Sequence, residues 1–222
     1  MTRVLPAPEA YRRWAPSFDA SASPIVALES RHLEPMLPEV RGKLLLDIGC
    51  GTGRWLTWAL ERRANAAGAD PSAEMLRIAS GKTGLGGRMV LAGGLHLPFA
   101  SARADLVLCT LSLAYMAPID SALAELARVT RPGGSVFVTD FHPDAIRAGW
   151  KRTFRSGSDV FEIAQDHYAP SDLHTAGLKL LHLSEPCFGD PERELFAGAG
   201  KLREFEAARL QPAIFIAHWK KL

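Results

Sequence analysis

Between Lys43 and Phe141 the chain alternates two kinds of segment. Short apolar runs (KLLLDIG, NAAGAD, GRMVLAG, ADLVLCT and GSVFVTDF) are separated by stretches whose apolar residues recur three and four apart (RWLTWALERR, SAEMLRIAS and IDSALAELARVTR). The apolar runs predict strands buried on both faces, and the 3.6-residue period predicts the helices that bury them. Regular strand–helix alternation implies a mostly parallel sheet with helices on both sides, an α/β doubly wound, Rossmann-like architecture. Beyond Phe141 a polar, His-containing loop leads to a predicted helix (SDLHTAGL), a strand (LKLLHLSE), a charged helix around residues 192–209 and a closing strand (AIFIAHWKK). Residues 1–41 are rich in Pro, Ser and Arg and carry two helical stretches, around 9–15 and 24–37; they read as an N-terminal helical cap on a single domain spanning 42–222. Pro132-Gly133-Gly134 marks a turn.

The 222 residues carry 26 Lys+Arg against 24 Asp+Glu, a formal charge of +2. That balance argues against nucleic acid or an anionic membrane as partner. The longest nearly uncharged run, Leu106 to Ile119, falls short of the about 20 apolar residues that span a bilayer, and the N-terminus has no apolar signal region. The expected location is the cytoplasm. Three cysteines, Cys50, Cys109 and Cys187, are odd in number and lack CxxC spacing, so neither a disulfide framework nor a metal site is expected. Cys109 and Cys187 read as small buried residues. Nothing in the sequence bears on oligomeric state.

The informative segment is LLLDIGCGTG, Leu44 to Gly53. A buried strand runs into Gly49, Gly51 and Gly53 and then into a helix, and glycines there let the backbone turn sharply against a ligand. The dinucleotide fingerprint would need its third glycine at Arg54, and no Lys-Ser/Thr of a P-loop follows. Instead Asp47 stands two residues before the first glycine, where a carboxylate suits a cationic group better than a pyrophosphate. Asp70, at the end of the following strand, falls where a ribose would lie at the C-terminal edge of such a sheet.

DIGCGTG, GADPSAEML, GGLHLPF, ADLVLCTLSLAYM and RPGGSVFVTDF, in this order over Leu44 to Phe141, resemble the class I S-adenosylmethionine-dependent methyltransferases. YRRWAPSFD, Tyr11 to Asp19, is similar to the opening of small-molecule members, and the closing strand resembles the family's antiparallel seventh. The resemblance implies that Asp47 and the backbone of Gly49, Cys50 and Gly51 hold the amino acid part of S-adenosylmethionine. It further implies Asp70 on the ribose hydroxyls and Pro71 and Met75 against ribose and adenine. Gly94 and Leu95 would lie at the adenine edge, Thr110 and Leu111 along the methionyl portion, and Tyr11 and Trp14 over the cofactor. Two positions depart from the family pattern. Gly93-Gly94 replaces a frequent Asp-Ala whose acid accepts from the adenine amino group, and Phe18 replaces a tyrosine.

Methyl transfer is an in-line displacement in which the cofactor brings the reactive group, so the protein supplies alignment and exclusion of water. The expected acceptor is a small organic molecule methylated at O, N or C. Acceptors that must lose a proton benefit from a base. His142, two residues past Asp140 at a strand end, and His167 in the following loop are the candidates. Trp150, Phe154, Phe161 and Tyr168 are candidate walls of an acceptor pocket or of a satellite core. Two other functions fit less well: a non-catalytic cofactor-binding protein of the same fold, and a nicotinamide-dependent oxidoreductase, which the glycine spacing disfavours.

Overall fold

The computed structural model describes residues 2–222. In chain order its elements are β1 (Arg3–Leu5), α1 (Ala7–Trp14), α2 (Pro24–Leu33), β2 (Leu44–Ile48), α3 (Arg54–Glu61), β3 (Asn65–Asp70), α4 (Ala73–Ser80), β4 (Met89–Leu91) and β5 (Ala104–Thr110). There follow α5 (Ile119–Val129), β6 (Thr130–Phe141), α6 (Pro143–Arg147), β7 (Thr153–Ser156), β8 (Asp159–Ile163), β9 (Leu178–Ser184), α7 (Asp190–Gly198), α8 (Leu202–Ala208) and β10 (Ile214–Lys221). Among the described residues no helix is long and apolar enough to cross a membrane.

The main sheet has seven strands in the order β4-β3-β2-β5-β6-β10-β9. Strands β2 to β6 pair in parallel, and β10 runs antiparallel to both β6 and β9. Side chains alternate across it with the two-residue period of a strand. Leu106 and Leu108 of β5 join Trp55, Leu56 and Phe137 in one core, while Val107 and Cys109 join Leu123, Leu126 and Val138 in the other. From β2 the chain winds outward through β3 and β4, then returns to β5 on the other side. The crevice of such a fold opens where the winding reverses, at the C-terminal ends of β2 and β5. Asp47, paired in register with Leu108, stands there.

Several expectations need correction. Residues 171–178 form no helix: a single 3-10 turn, Pro170–Asp172, is closed by the Asp172 carboxylate accepting from Ala169 N–H at 2.7 Å, and Gly177 at φ +81° then turns the chain into β9. The charged helix of 192–209 is two helices, α7 and α8, broken where Gly200 adopts φ +70°. Cys187 is exposed, whereas Cys50 and Cys109 are buried. Pro132-Gly133-Gly134 turns the chain within β6, whose register against β5 jumps from Ala104↔Thr130 to Leu106↔Ser135.

The sequence reading had no counterpart for a second, three-stranded sheet, β1-β8-β7. The β7–β8 hairpin pairs antiparallel, and β1 adds in parallel, Arg3 opposite Phe161 and Leu5 opposite Ile163. Leu5, Ala10, Phe154, Phe161 and Ile163 form its own small core. The N-terminal segment is thereby fastened to residues 153–163. The Asp19 carboxylate also accepts from Thr52 Oγ1 at 2.6 Å and pairs with Lys82 at 2.7 Å, which ties the same segment to the main sheet's helices.

Candidate functional site

A single cavity of about 1770 Å³ opens between the C-terminal end of the main sheet, the N-terminal segment, β7 and helices α7 and α8. Lining it together are Tyr11, Trp14, Asp47, Gly49, Cys50, Gly51, Asp70, Pro71, Met75, Gly94, Leu95, Thr110 and Leu111.

The floor is the glycine turn. Gly49 adopts φ +77°, and a Cβ there would stand 2.5 Å from the Ser112 side chain, so both the backbone conformation and the neighbour exclude a larger residue. Ser112 is itself pinned by donating to the Ile48 carbonyl at 3.1 Å. The amides of Gly49 and Cys50 donate to the Ala69 carbonyl at 2.8 and 3.1 Å, and that of Gly51 to Asp70 Oδ2 at 2.8 Å. With its N–H groups spent inside the protein, the turn offers no nest for a phosphate.

Asp47 is 1% exposed, and its Oδ1 has no hydrogen-bond partner. Burial pushes its carboxyl up to about 7, opposed by the Arg54 cation and reinforced by Glu29 and Asp70. Asp70 is raised by burial, against the backbone amides of Ser72 and Gly51 that favour its ionised form. Glu29, fully buried on α2, is likewise raised by burial despite Arg54 at 2.7 Å and a hydrogen bond from Thr139 at 3.2 Å. Asp47 and Glu29 thus share one guanidinium with Asp70 near Asp47, and the Asp47 carboxyl lines the cavity with no hydrogen bond to the protein. A buried carboxylate so placed is stabilised by a cation.

On the adenine side only the second glycine of the departing pair has a packing neighbour. A Cβ on Gly94 would collide with the Met116 thioether, which fills the space under that turn, whereas Gly93 faces open space.

At the other end, Arg152 is the chief polar group. Its Nη1 donates to the Leu111 carbonyl and, at 3.3 Å, to the Tyr11 hydroxyl; Nη2 donates to Asp140 Oδ1 at 3.2 Å. The guanidinium also lies over the rings of Phe141 at 4.8 Å and Tyr115 at 5.4 Å. Leu111, held by this contact, adopts φ +52°. Tyr11 meets Tyr115 edge-on at 5.4 Å, and Trp14 stacks on Phe154 at 5.2 Å. Trp150 and Phe154 line the cavity; Phe161 belongs to the small core and Tyr168 packs on the main one.

Neither candidate base reaches the cavity. His142 is 7% exposed and caps α6, its Nδ1 accepting from Asp144 N–H at 3.1 Å. That bond leaves the proton on Nε2, which faces Glu185 Oε1 at 2.9 Å, so both ring nitrogens are engaged. His167 is exposed beside a crevice of about 10 Å³ formed with Leu113, Asp140 and Tyr168.

A family profile described as a methyltransferase domain matches residues 46–138. The O-methyltransferase rstn1 of Aspergillus nomiae is 32% identical over 173 residues, 70% of this chain and 73% of that protein. The chain belongs to the class I S-adenosylmethionine-dependent methyltransferases. A methyltransferase of this type from Mesorhizobium loti shares the fold at a TM-score of 0.68 and 22% identity, covering 91% of this chain and 99% of the other. Methyltransferase GfsG of Streptomyces halstedii is 30% identical over 154 residues, 65% of this chain and 55% of its own length. The chain spans about half the length of the first such curated relatives, 55% and 44% of the first two.

For a class I methyltransferase, the residues that composition and spacing did not single out are Glu29, Tyr115, Asp140 and Arg152. Glu29 had a signal: with Ile25, Leu28 and Leu33 it falls on the buried stripe of α2, where an acid is out of place. Arg152 lies between elements and had none.

Proposed function

We propose that this protein transfers the methyl group of S-adenosylmethionine to a small organic acceptor. The observation that carries the reading is the buried Asp47 carboxyl, without a hydrogen-bond partner, in the wall of the cavity beside an amide-poor glycine turn. It fits the α-ammonium of a methionyl group and fits neither a pyrophosphate nor a nicotinamide dinucleotide.

In this reading Asp47 takes the ammonium, with Gly49, Cys50 and Gly51 as the wall beside it. Asp70 has both oxygens already accepting one backbone N–H, and a carboxylate has about four lone-pair positions, which leaves capacity for two ribose hydroxyls. Pro71, Met75, Gly94 and Leu95 surround the adenosyl portion, and Thr110 and Leu111 border the methionyl portion. Tyr11 and Trp14, fastened through β1 and Asp19, close the mouth. The bound cofactor would supply a methyl group activated on a sulfonium. The chain's share is to align the acceptor and keep water out.

Calorimetric titration with S-adenosylmethionine, S-adenosylhomocysteine and NAD in parallel tests this. The expected result is micromolar binding of both adenosyl compounds and none of NAD; NAD binding alone would refute it.

A further inference from the structure

The acceptor end of the cavity holds the nearly buried Arg152 cation, and the carboxylate that lines the cavity from α8, Glu204, is solvent-exposed. Of the five N–H donors of a guanidinium, Arg152 spends three, on Leu111, Tyr11 and Asp140, and its Nε–H and second Nη2–H are left. The Tyr11 hydroxyl accepts from Arg152, so its own proton is free to be donated. Asp140 does not line the cavity, and its oxygens are engaged within the protein: Oδ2 accepts from Ala114 N–H at 2.9 Å, and Oδ1 from Phe141 N–H at 2.9 Å and from Arg152. Burial raises the Tyr115 hydroxyl well above its usual range, so it stays protonated, facing Gln165 Oε1 at 3.2 Å. The histidines lie elsewhere. Beyond Arg152 the buried and half-buried wall is apolar, from Phe141, Trp150, Leu195, Phe196 and Ala208, while Lys151, Lys201 and Glu204 line the cavity as exposed side chains. At about 1770 Å³ the cavity exceeds the roughly 300–1,000 Å³ of ordinary ligand sites, enough for a cofactor and a sizeable second molecule.

A pocket whose buried polar groups are donors suits an acceptor that arrives already ionised. We propose that the acceptor is an apolar carboxylic acid, bound as its carboxylate by Arg152 and the Tyr11 hydroxyl and methylated on a carboxylate oxygen. This rests on the methyl-transfer reading above. A lone pair of the carboxylate oxygen forms the new O–C bond as the C–S bond breaks and its pair returns to sulfur. Anion and sulfonium become neutral ester and thioether, and no proton moves. An alcohol or protonated amine in the same place would have to lose a proton for which the buried part of the pocket there offers no carboxylate or imidazole.

The test offers the 222-residue protein matched probes with S-adenosylmethionine: dodecanoate and cinnamate against 1-dodecanol, cinnamyl alcohol and dodecylamine. Products are identified by mass spectrometry, and dodecanoate binding to the S-adenosylhomocysteine complex is measured by calorimetry. Methyl esters should form at least about tenfold faster than ethers or N-methyl products, the lower end of what a hydrogen bond to a charged group contributes. Arg152→Lys, which keeps the charge beside Asp140 but loses the fork, should weaken dodecanoate binding to the S-adenosylhomocysteine complex by a similar factor, and by more than it changes S-adenosylhomocysteine affinity. Tyr11→Phe, which loses only the hydroxyl, should weaken dodecanoate binding to a smaller extent. Equal or faster methylation of the alcohols or amine, or no carboxylate binding to the S-adenosylhomocysteine complex, overturns the proposal. Both outcomes are read on the unsubstituted protein and do not depend on a variant folding. Failure to bind S-adenosylhomocysteine at all would instead overturn the cofactor reading, and this proposal with it.

Discussion

Asp47, Asp70, Gly94 and Leu111 reach the cavity from the ends of neighbouring sheet strands or the turns that follow them, whereas Tyr11, Trp150, Arg152 and Phe196 come from the N-terminal segment, a loop and α7. The first set offers crowded carboxylates, of which Asp47 makes no hydrogen bond within the protein. The second offers one buried guanidinium, two phenols and aromatic walls. The polarity of the two ends is opposite, as a site for a cationic cofactor and an anionic acceptor would need. The sheet end is fixed by register between paired strands. The other end is fixed by β1 lying beside β8, a long-range contact that could be varied without touching the sheet.

The sharpest way to break the comparison is at Asp47. Asp47→Asn removes the proposed partner of the ammonium and should weaken S-adenosylhomocysteine binding by about 3–5 kcal/mol, the cost of removing one member of a buried ion pair. The same substitution should stabilise the free protein. The folded carboxyl titrates at about 7 against a usual 3.8, so between those values the folded chain holds a proton that the unfolded chain has lost. Stability therefore falls as pH rises through this window, and the penalty is complete above it. Thermal unfolding at pH 5, 7 and 8 should show a smaller fall for the Asn variant than for the parent protein. A variant with lower Tm at pH 8 than the parent would sink the argument.

Ligand affinity should follow the opposite course. Below about 7 the ammonium competes with a proton for Asp47, so affinity for S-adenosylhomocysteine should drop by up to tenfold per unit. It should decline again above about 8, where an α-amino group loses its own charge. Calorimetry from pH 5.5 to 9 should trace this bell; a flat profile would mean that Asp47 carries no ligand charge.

Asp70→Ala should cost less, about 1.5–3 kcal/mol of cofactor affinity, because the loss is hydrogen bonds to a carboxylate and not a buried charge pair. It also frees the amides of Gly51 and Ser72, so part of the loss should appear as lower Tm. Unchanged affinity would remove Asp70 from the site.

The two ends also differ in how much of them the sequence discloses. β2 to β6 and the turns after them are local: strand period, glycine spacing and the acids at strand ends lie within a few residues of one another, so Asp47 and Asp70 were legible from the pattern itself, and Gly94 and Leu111 through the family resemblance it carries. Gly94 was legible as a departure but not as a packing necessity, since Met116 lies 22 positions further on in the sequence and meets it only in the fold. Arg152 becomes meaningful only through Leu111, Tyr11 and Asp140, from three distant stretches. The β1-β8-β7 sheet depends on pairing residues 3–5 with 161–163, and no periodicity within either run announces a partner. The break between α7 and α8 was written in Gly198 and Gly200, but the charged pattern on either side masks it.

The smallest effect expected is at His142, where proximity to the sheet's C-terminal edge suggested a base. The structure gives its Nδ1 to the Asp144 amide and its Nε2 to Glu185, so His142→Ala removes a helix cap and should cost about 1 kcal/mol of stability, which for a chain of this size lowers Tm by roughly 2–4 °C. Cofactor affinity and kcat should be unchanged, because neither nitrogen faces the cavity. A fall in kcat without a fall in Tm would return the histidine to the chemistry, and would mean that the acceptor end does have a base. The argument for an acceptor that arrives ionised would then lose its main premise, whatever Arg152 does.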